Sequence, residues 1–172
     1  MTPEQKKLVQ GTWGQVVPIA DQAATMFYNR LFETDPSARA LFGSTDMAQQ
    51  RKKLLQVLSV AIAGLDNLDA LIPVVEDLGR RHVRYGVRDA HYDSVGGALL
   101  WTLEKGLGKA WTPDTAVAWG EVYGVLSGVM KQASRGPTPA AAQSVSSDRE
   151  KVAHRLREQL RLIHVGDVTG AG

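Results

Sequence analysis

Helix-start signals recur along this chain and constrain its fold more than any other feature. Thr2-Pro3, Asp35-Pro36 and Thr112-Pro113 each place a residue that can cap a helix directly before a proline. Proline fits the first turn of a helix because its missing N–H has no partner to lose there. The sequence has no hairpin dipeptide between alternating apolar runs, the usual signal of paired strands. We therefore expect an all-α fold.

Apolar residues follow these starts at intervals of three and four, which is the spacing of one face of a helix. The same spacing predicts helices over 47–63 and 68–87, and Asp89 is expected to cap a further helix. Six substantial helices and one short helix are thus predicted within residues 2–133. Most of these apolar faces are expected to form the core of one domain, residues 1–133.

Composition narrows the classes of protein that this chain can belong to. It has 172 residues and no cysteine, so disulfides, thiolate zinc sites and thiol nucleophiles are excluded. A formal net charge of +2 is too small to indicate binding to nucleic acid. The first residues are polar, and the longest apolar run, 54–65, is interrupted and too short to span a bilayer. We expect a cytoplasmic protein that binds neither nucleic acid nor membrane.

The composition changes after residue 133. Residues 134–147 are rich in proline, alanine and serine and predict a flexible linker. Residues 148–164 carry an apolar stripe and five basic residues, which predicts an amphipathic C-terminal helix, and 165–172 are expected to be a disordered tail. This helix could form a homodimer with a second copy, dock on its own domain or lie on an anionic surface.

Of the four histidines, His82 has the most informative surroundings. It shares a helical face with Val75 and Leu78. A histidine on an apolar face must satisfy two ring nitrogens away from water. A metal on one nitrogen and a backbone carbonyl on the other would do so. A structural histidine is the alternative, and a lone helical histidine is more often structural. The sequence has no catalytic motif such as GxSxG, a P-loop or HExxH.

Several short stretches match one family in order and spacing. They are MFYNRLF at 26–32, LF at 41–42, QRKKL at 50–54, LGRRH at 78–82, HY at 91–92 and AWGEVYGVL at 118–126. On these stretches, residues 2–133 resemble the globins. They are similar in particular to bacterial single-domain globins, to the group that contains the Hell's Gate globin, and to the haem domain of flavohaemoglobins. The resemblance implies a globin fold, a three-over-three helical sandwich, that binds one haem b without a covalent bond.

The resemblance also implies roles for residues on one side of the haem. His82 would be the iron ligand, and the carbonyl of Leu78 would accept its other ring proton. Phe42 would wedge against the haem, and Tyr92 matches a tyrosine next to the iron-bound histidine in flavohaemoglobins. In those proteins a glutamate accompanies this tyrosine, whereas this chain has Ser134 at the matching position. A hydroxyl lacks the negative charge with which a carboxylate favours peroxidase-like electron donation through His82.

On the opposite side, the resemblance makes Tyr28 and Gln50 a polar pair that contacts bound O2, with Leu54 as an apolar contact. The implied function is reversible binding of O2, and of NO or CO, for oxygen storage or transport. Two alternatives stay open: NO dioxygenation, which detoxifies NO to nitrate and would need an external reductase, and haem-based gas sensing. Whether the protein is an enzyme is therefore undecided from the sequence.

Overall fold

The computed structural model describes residues 1–136 and 154–158. The first range contains seven α-helices: α1 Pro3–Val16, α2 Ala20–Thr34, α3 Pro36–Arg39, α4 Met47–Ala63, α5 Leu68–Arg84, α6 Asp89–Leu107 and α7 Pro113–Ser134. Short 3-10 turns connect several of them: Val17–Ile19, Ala40–Phe42, Gly64–Asn67 and Gly108–Ala110. No strand occurs in the described residues. The predicted all-α fold of six long helices and one short helix is confirmed.

The proline-marked helix starts form as the sequence predicts. The Thr2 hydroxyl accepts the Gln5 backbone N–H at 3.1 Å, and the Gln5 side chain accepts the Thr2 N–H at 2.8 Å. Asp35 caps α3, and Thr112 caps α7, each through a side-chain oxygen that accepts a backbone N–H of the first turn. Local sequence alone therefore fixes where these three helices begin.

The prediction that Asp89 caps α6 is wrong, because Asp89 is the first residue of the helix and Arg88 is the capping residue. The Arg88 backbone N–H donates to His91 Nδ1 at 2.9 Å, so a side chain inside the first turn reaches back to make the cap. Asp89 instead lies 2.5 Å from Arg135 Nη2. A carboxylate is favoured in the first turn by the helix dipole, which is why the position tolerates it without capping.

The long helices form two layers of three, with α1, α4 and α5 over α2, α6 and α7. The most extensive packing joins α5 to α7, α2 to α6 and α1 to α7. The buried indole of Trp119 on α7 donates to Thr12 Oγ1 at 2.9 Å, and the Trp13 indole donates to Ser59 Oγ on α4 at 3.2 Å. These two hydrogen bonds tie α1 to both of these helices, because a buried indole N–H requires an acceptor.

One helical run, Met47–Arg84, is long and apolar enough by length and composition alone to cross a membrane. In the fold this run is α4, the turn Gly64–Asn67 and α5. It supplies Ile62, Leu65 and Leu71 to the core, so its apolar composition has an explanation within the fold.

Little of the predicted C-terminal region lies within the described residues. Residues 154–158 are helical and fall within the predicted amphipathic helix. Most of the predicted linker, the rest of that helix and the predicted tail lie outside the described residues.

Candidate functional site

His82 lies in the last turn of α5, which is held by a glycine C-cap. Gly86 has a φ of 84°, a conformation that glycine adopts without strain. The backbone N–H of Val87 then donates to the His82 carbonyl at 3.1 Å, and that of Gly86 donates to the Val83 carbonyl at 3.0 Å. This pair of bonds is the Schellman motif, which ends the helix just beyond the histidine.

The imidazole of His82 is oriented by its own helix. Nδ1 lies 2.7 Å from the Leu78 carbonyl oxygen, one turn earlier. A carbonyl only accepts, so Nδ1 carries the proton and the ring lone pair is on Nε2. That tautomer is the one in which Nε2 binds a metal. The predicted contact between His82 and Leu78 is present in the structure.

A close approach between helix backbones fixes the position of α5. A Cβ atom on Gly79 would lie 2.6 Å from the Met130 carbonyl oxygen and 2.7 Å from its Cα on α7. Only glycine allows that contact, because a backbone cannot move aside as a flexible side chain does. Gly79 stands three residues before His82, so the contact sets where the imidazole lies. Its place inside the LGRRH stretch is the only sequence signal that pointed to it.

Two tyrosines support the histidine from α6 and α7. The Tyr92 ring stacks on His82 with centroids 6.3 Å apart, and the Tyr123 hydroxyl donates to the Tyr92 carbonyl oxygen. A Cβ atom on Gly96 would lie 2.5 Å from the Tyr123 ring, so glycine at 96 makes room for the phenol. Burial raises the pKa of both tyrosines, helped by the charge of Asp89 for Tyr92 and of Asp93 for Tyr123. Tyr123 was not predicted as a site residue, because its spacing is that of an ordinary core residue of α7.

A positive charge, that of Lys131, lies beside Tyr92 in addition to the negative charge of Asp89. The Ser134 hydroxyl donates to the Lys131 carbonyl at 2.5 Å and is thus bound within its own helix. Lys131 Nζ lies 5.8 Å from the centre of the Tyr92 ring and 3.3 Å from Asp93 Oδ1. A cation paired with Asp93 therefore faces Tyr92. We call His82, Leu78, Tyr92 and Tyr123 the histidine side.

Tyr28 and Gln50 are brought together from α2 and α4. Gln50 Nε2 donates to the Tyr28 hydroxyl oxygen at 3.2 Å. Because the amide is the donor, the phenol keeps its own proton to donate to another acceptor. Burial raises the pKa of Tyr28 to about 12, an effect that the hydrogen bond from Gln50 partly opposes. The phenol is therefore neutral and a donor at any physiological pH.

Aromatic rings surround the Tyr28 phenol. The Phe42 ring lies 5.6 Å from Tyr28 in an edge-on arrangement, and Phe27 lies 5.0 Å from it on the same helix. Leu54, one helical turn beyond Gln50, packs against the core while staying half-exposed. We call Tyr28, Gln50, Phe42 and Leu54 the tyrosine side.

The helices that carry Gln50 and His82, α4 and α5, have backbones that scarcely approach one another. Within the described part of the chain, α5 packs on α7, and the backbones of α4 and α5 make almost no contact beyond the turn that joins them. On α4 only Ile62 is buried, although Leu54, Leu58 and several other apolar residues face inward and remain half-exposed. Half-covered apolar side chains on a helix that faces the core are typical of the lining of a ligand site.

The residues present fit a haem. His82 offers one nitrogen ligand in the correct tautomer, and no cluster of three or more His, Asp or Glu side chains among the described residues could hold a metal ion. A single protein ligand suits an iron whose remaining ligands would come from a porphyrin. The apolar lining of Phe42 and Leu54 suits its rings, and the chain lacks the cysteines that would attach it covalently.

Comparison with known proteins agrees with this geometry. The family model described as Globin matches residues 25–130. The flavohemoprotein of Bacillus subtilis strain 168 is 37% identical over 103 residues, covering 59% of this chain and 26% of that protein. The flavohemoprotein of Bordetella parapertussis is 32% identical over 144 residues, covering 83% of this chain and 36% of that protein. The neuroglobin of Chaenocephalus aceratus is 29% identical over 145 residues, covering 77% of this chain and 91% of that protein. The chain thus spans about a quarter to a third of the length of these flavohemoproteins.

Proposed function

The chain belongs to the globin family, which binds gases at haem, and on that premise we propose that it holds one haem b through His82 and reversibly binds O2 beside Tyr28 and Gln50. NO and CO would enter the same site. When bound, haem supplies an iron with one open position for a diatomic gas. The remaining roles belong to the protein's own residues.

On the histidine side, His82 Nε2 is the iron ligand. The Leu78 carbonyl holds the Nδ1 proton, so the ring keeps one tautomer and one orientation. Tyr92 stacks on the ring and limits its rotation. The Ser134 hydroxyl, at the position where the family resemblance has a glutamate, carries no negative charge with which to increase electron donation from the imidazole.

On the tyrosine side, one observation carries the proposal: Gln50 donates to the Tyr28 oxygen and leaves the phenol proton available. A gas ligand that gains negative character would accept that proton in a hydrogen bond. Such a bond to a partly charged acceptor contributes about 1.5–3 kcal/mol. Breaking it during release slows dissociation by roughly ten- to hundredfold. The site therefore favours slow release of O2.

NO dioxygenation is the second candidate function, and the similarity to flavohemoproteins favours it. The Tyr28–Gln50 pair would serve this reaction as well as storage, because both require retained oxygen. Turnover would require an external reductase. We rank storage or transport first because this chain has Ser134 where the flavohaemoglobin pattern has a glutamate.

The first test is an absorption spectrum of the purified protein, oxidised, reduced, and reduced under CO or O2. We expect an intense Soret band that shifts with each gas and is lost in His82→Ala. His154→Ala is the matched control, because His154 is exposed, and it should keep the band. The Tyr28→Phe variant, loaded with haem and reduced in the same way, should release O2 roughly ten- to hundredfold faster than wild type. An unchanged release rate would show that Tyr28 does not contact the gas.

A further inference from the structure

An apolar seam lies where α4 and α5 meet. Ala70 and Val74 of α5 are fully buried there and form a small cluster of their own, separate from the main core. Val57 and Val60 of α4 pack against this pair from one side. Leu156, from residues 154–158, packs against the same pair and also touches the main core. We call residues 154–158 the C-terminal segment. Its leucine thus adds to a side-chain contact between two helices whose backbones scarcely approach one another.

A polar contact fixes the same segment one helical turn further along α5. Arg157 Nε lies 3.1 Å from Asp77 Oδ2, and Asp77 also pairs with Arg80 at 2.5 Å. These side chains are partly exposed, so the ion pair adds orientation more than affinity. His154 and Arg155, in the same short helix, are exposed. The segment therefore turns Leu156 and Arg157 toward the fold and its first two residues toward solvent.

The seam matters because of what its two helices carry. Gln50 and Leu54 lie on α4 before the seam, and His82 lies on α5 after it. Apart from the side-chain contact at the seam, the two helices are joined by the turn Gly64–Asn67 and pack on different neighbours, α2 and α7. A side chain wedged against both helices near their joined ends limits how far they separate. Any such separation would open the space between the histidine side and the tyrosine side.

We propose that the C-terminal segment docks on the α4–α5 seam of its own chain and thereby slows the loss of haem. The occupant of the seam is the segment itself, seated by Leu156 and Arg157. Residues 137–153 connect it to α7, and a stretch of that length can span up to roughly 60 Å, so docking within one chain is geometrically possible. The proposal rests on the proposed haem site for its consequence but not for the docking contact.

The test uses the full-length chain and four proteins: wild type, Leu156→Asp, Arg157→Glu and the exposed control Arg155→Glu. Haem loss is measured by transfer to an excess of a haem-free acceptor globin. We expect Leu156→Asp to lose haem about three- to tenfold faster, since a half-buried leucine contributes part of the transfer energy of a full one. Arg157→Glu should accelerate loss by less than about threefold, as for an exposed ion pair. Arg155→Glu should match wild type.

A second measurement, on the haem-free proteins, separates docking from its consequence. Urea unfolding followed by tryptophan fluorescence should show a lower midpoint for Leu156→Asp than for Arg155→Glu. If wild type failed to bind haem, the proposed function would fall, and this measurement would still test the docking. Equal urea midpoints for Leu156→Asp and Arg155→Glu would overturn the docking. A lowered midpoint with unchanged haem loss would overturn the control of haem retention. A dimer in wild type that Leu156→Asp converts to monomer would overturn docking within one chain.

Discussion

The histidine side and the tyrosine side are held in place by different kinds of contact. On the histidine side, backbone meets backbone where Gly79 lies against Met130, and the Tyr123 hydroxyl bonds to the backbone of α6. On the tyrosine side, one side-chain hydrogen bond at 3.2 Å and a set of aromatic edges hold the phenol. The first arrangement leaves little freedom for His82. The second lets Tyr28 and Gln50 adjust to a ligand that comes and goes.

This difference matches the chemistry proposed for each side. An iron ligand must keep one geometry whether or not a gas is present, and helix packing through glycine provides it. A hydrogen-bond donor to the gas must lose and regain its acceptor, and an adaptable pair of side chains tolerates that. Substitutions at Gly79, Tyr28 and Tyr123 test whether the two sides differ in this way.

The largest effect is expected at the Gly79–Met130 contact. Gly79→Ala should lower the free energy of unfolding by about 3 kcal/mol, because the new methyl group meets a backbone that cannot yield. Gly124→Ala is the matched control: it lies on the exposed face of α7, where an added Cβ would have nothing within 4 Å, and it should stabilise the protein by about 0.5–1 kcal/mol. Urea unfolding measures both. Equal effects of the two substitutions would mean that the contact does not fix α5.

The next effect concerns the buried phenol of the tyrosine side. The pKa of Tyr28 rises from 10.0 to about 12, so the folded state holds its proton more tightly than the unfolded state. This stabilisation is complete below pH 10 and is lost as the pH rises from 10 to 12. At 1.36 kcal/mol per pKa unit the loss reaches about 2.7 kcal/mol. Tyr28→Phe should remove that part of the alkaline destabilisation in urea unfolding of the haem-free protein at pH 9, 10, 11 and 12. If the free energy of unfolding fell with pH as steeply in the variant as in wild type, the Tyr28 phenol would be exposed to water and not buried.

The smallest effect is expected at Tyr123, and it compares the two sides directly. Tyr123→Phe removes a hydrogen bond to the α6 backbone and should cost about 1 kcal/mol at pH 7. Tyr28→Phe at the same pH should cost less, because its hydroxyl receives one longer bond from a side chain. Urea midpoints of the two variants decide the order. A larger cost for Tyr28→Phe would reverse the assignment of the rigid and the adaptable side.

Much of the fold and part of the site were predictable from the sequence. Thr2, Asp35 and Thr112 cap helices as expected, because a cap depends on residues within one turn of each other. The contact of His82 with the Leu78 carbonyl, which the family resemblance implied, joins residues spaced four apart on one helix. The pairing of Tyr28 with Gln50 came only with the family resemblance, because the two residues belong to helices that the spacing alone does not bring together.

Sequence by itself determined which segments are helical and where several of them begin, because these properties depend on neighbours along the chain. Tertiary structure decided the rest. It made Arg88, whose N–H donates to His91, the capping residue of α6 in place of Asp89. It also set Gly79 against Met130, directed the Tyr123 hydroxyl onto the α6 backbone, and placed Leu156 at the α4–α5 seam. Those choices depend on how close two helices come, which is fixed only when all of their faces are packed at once.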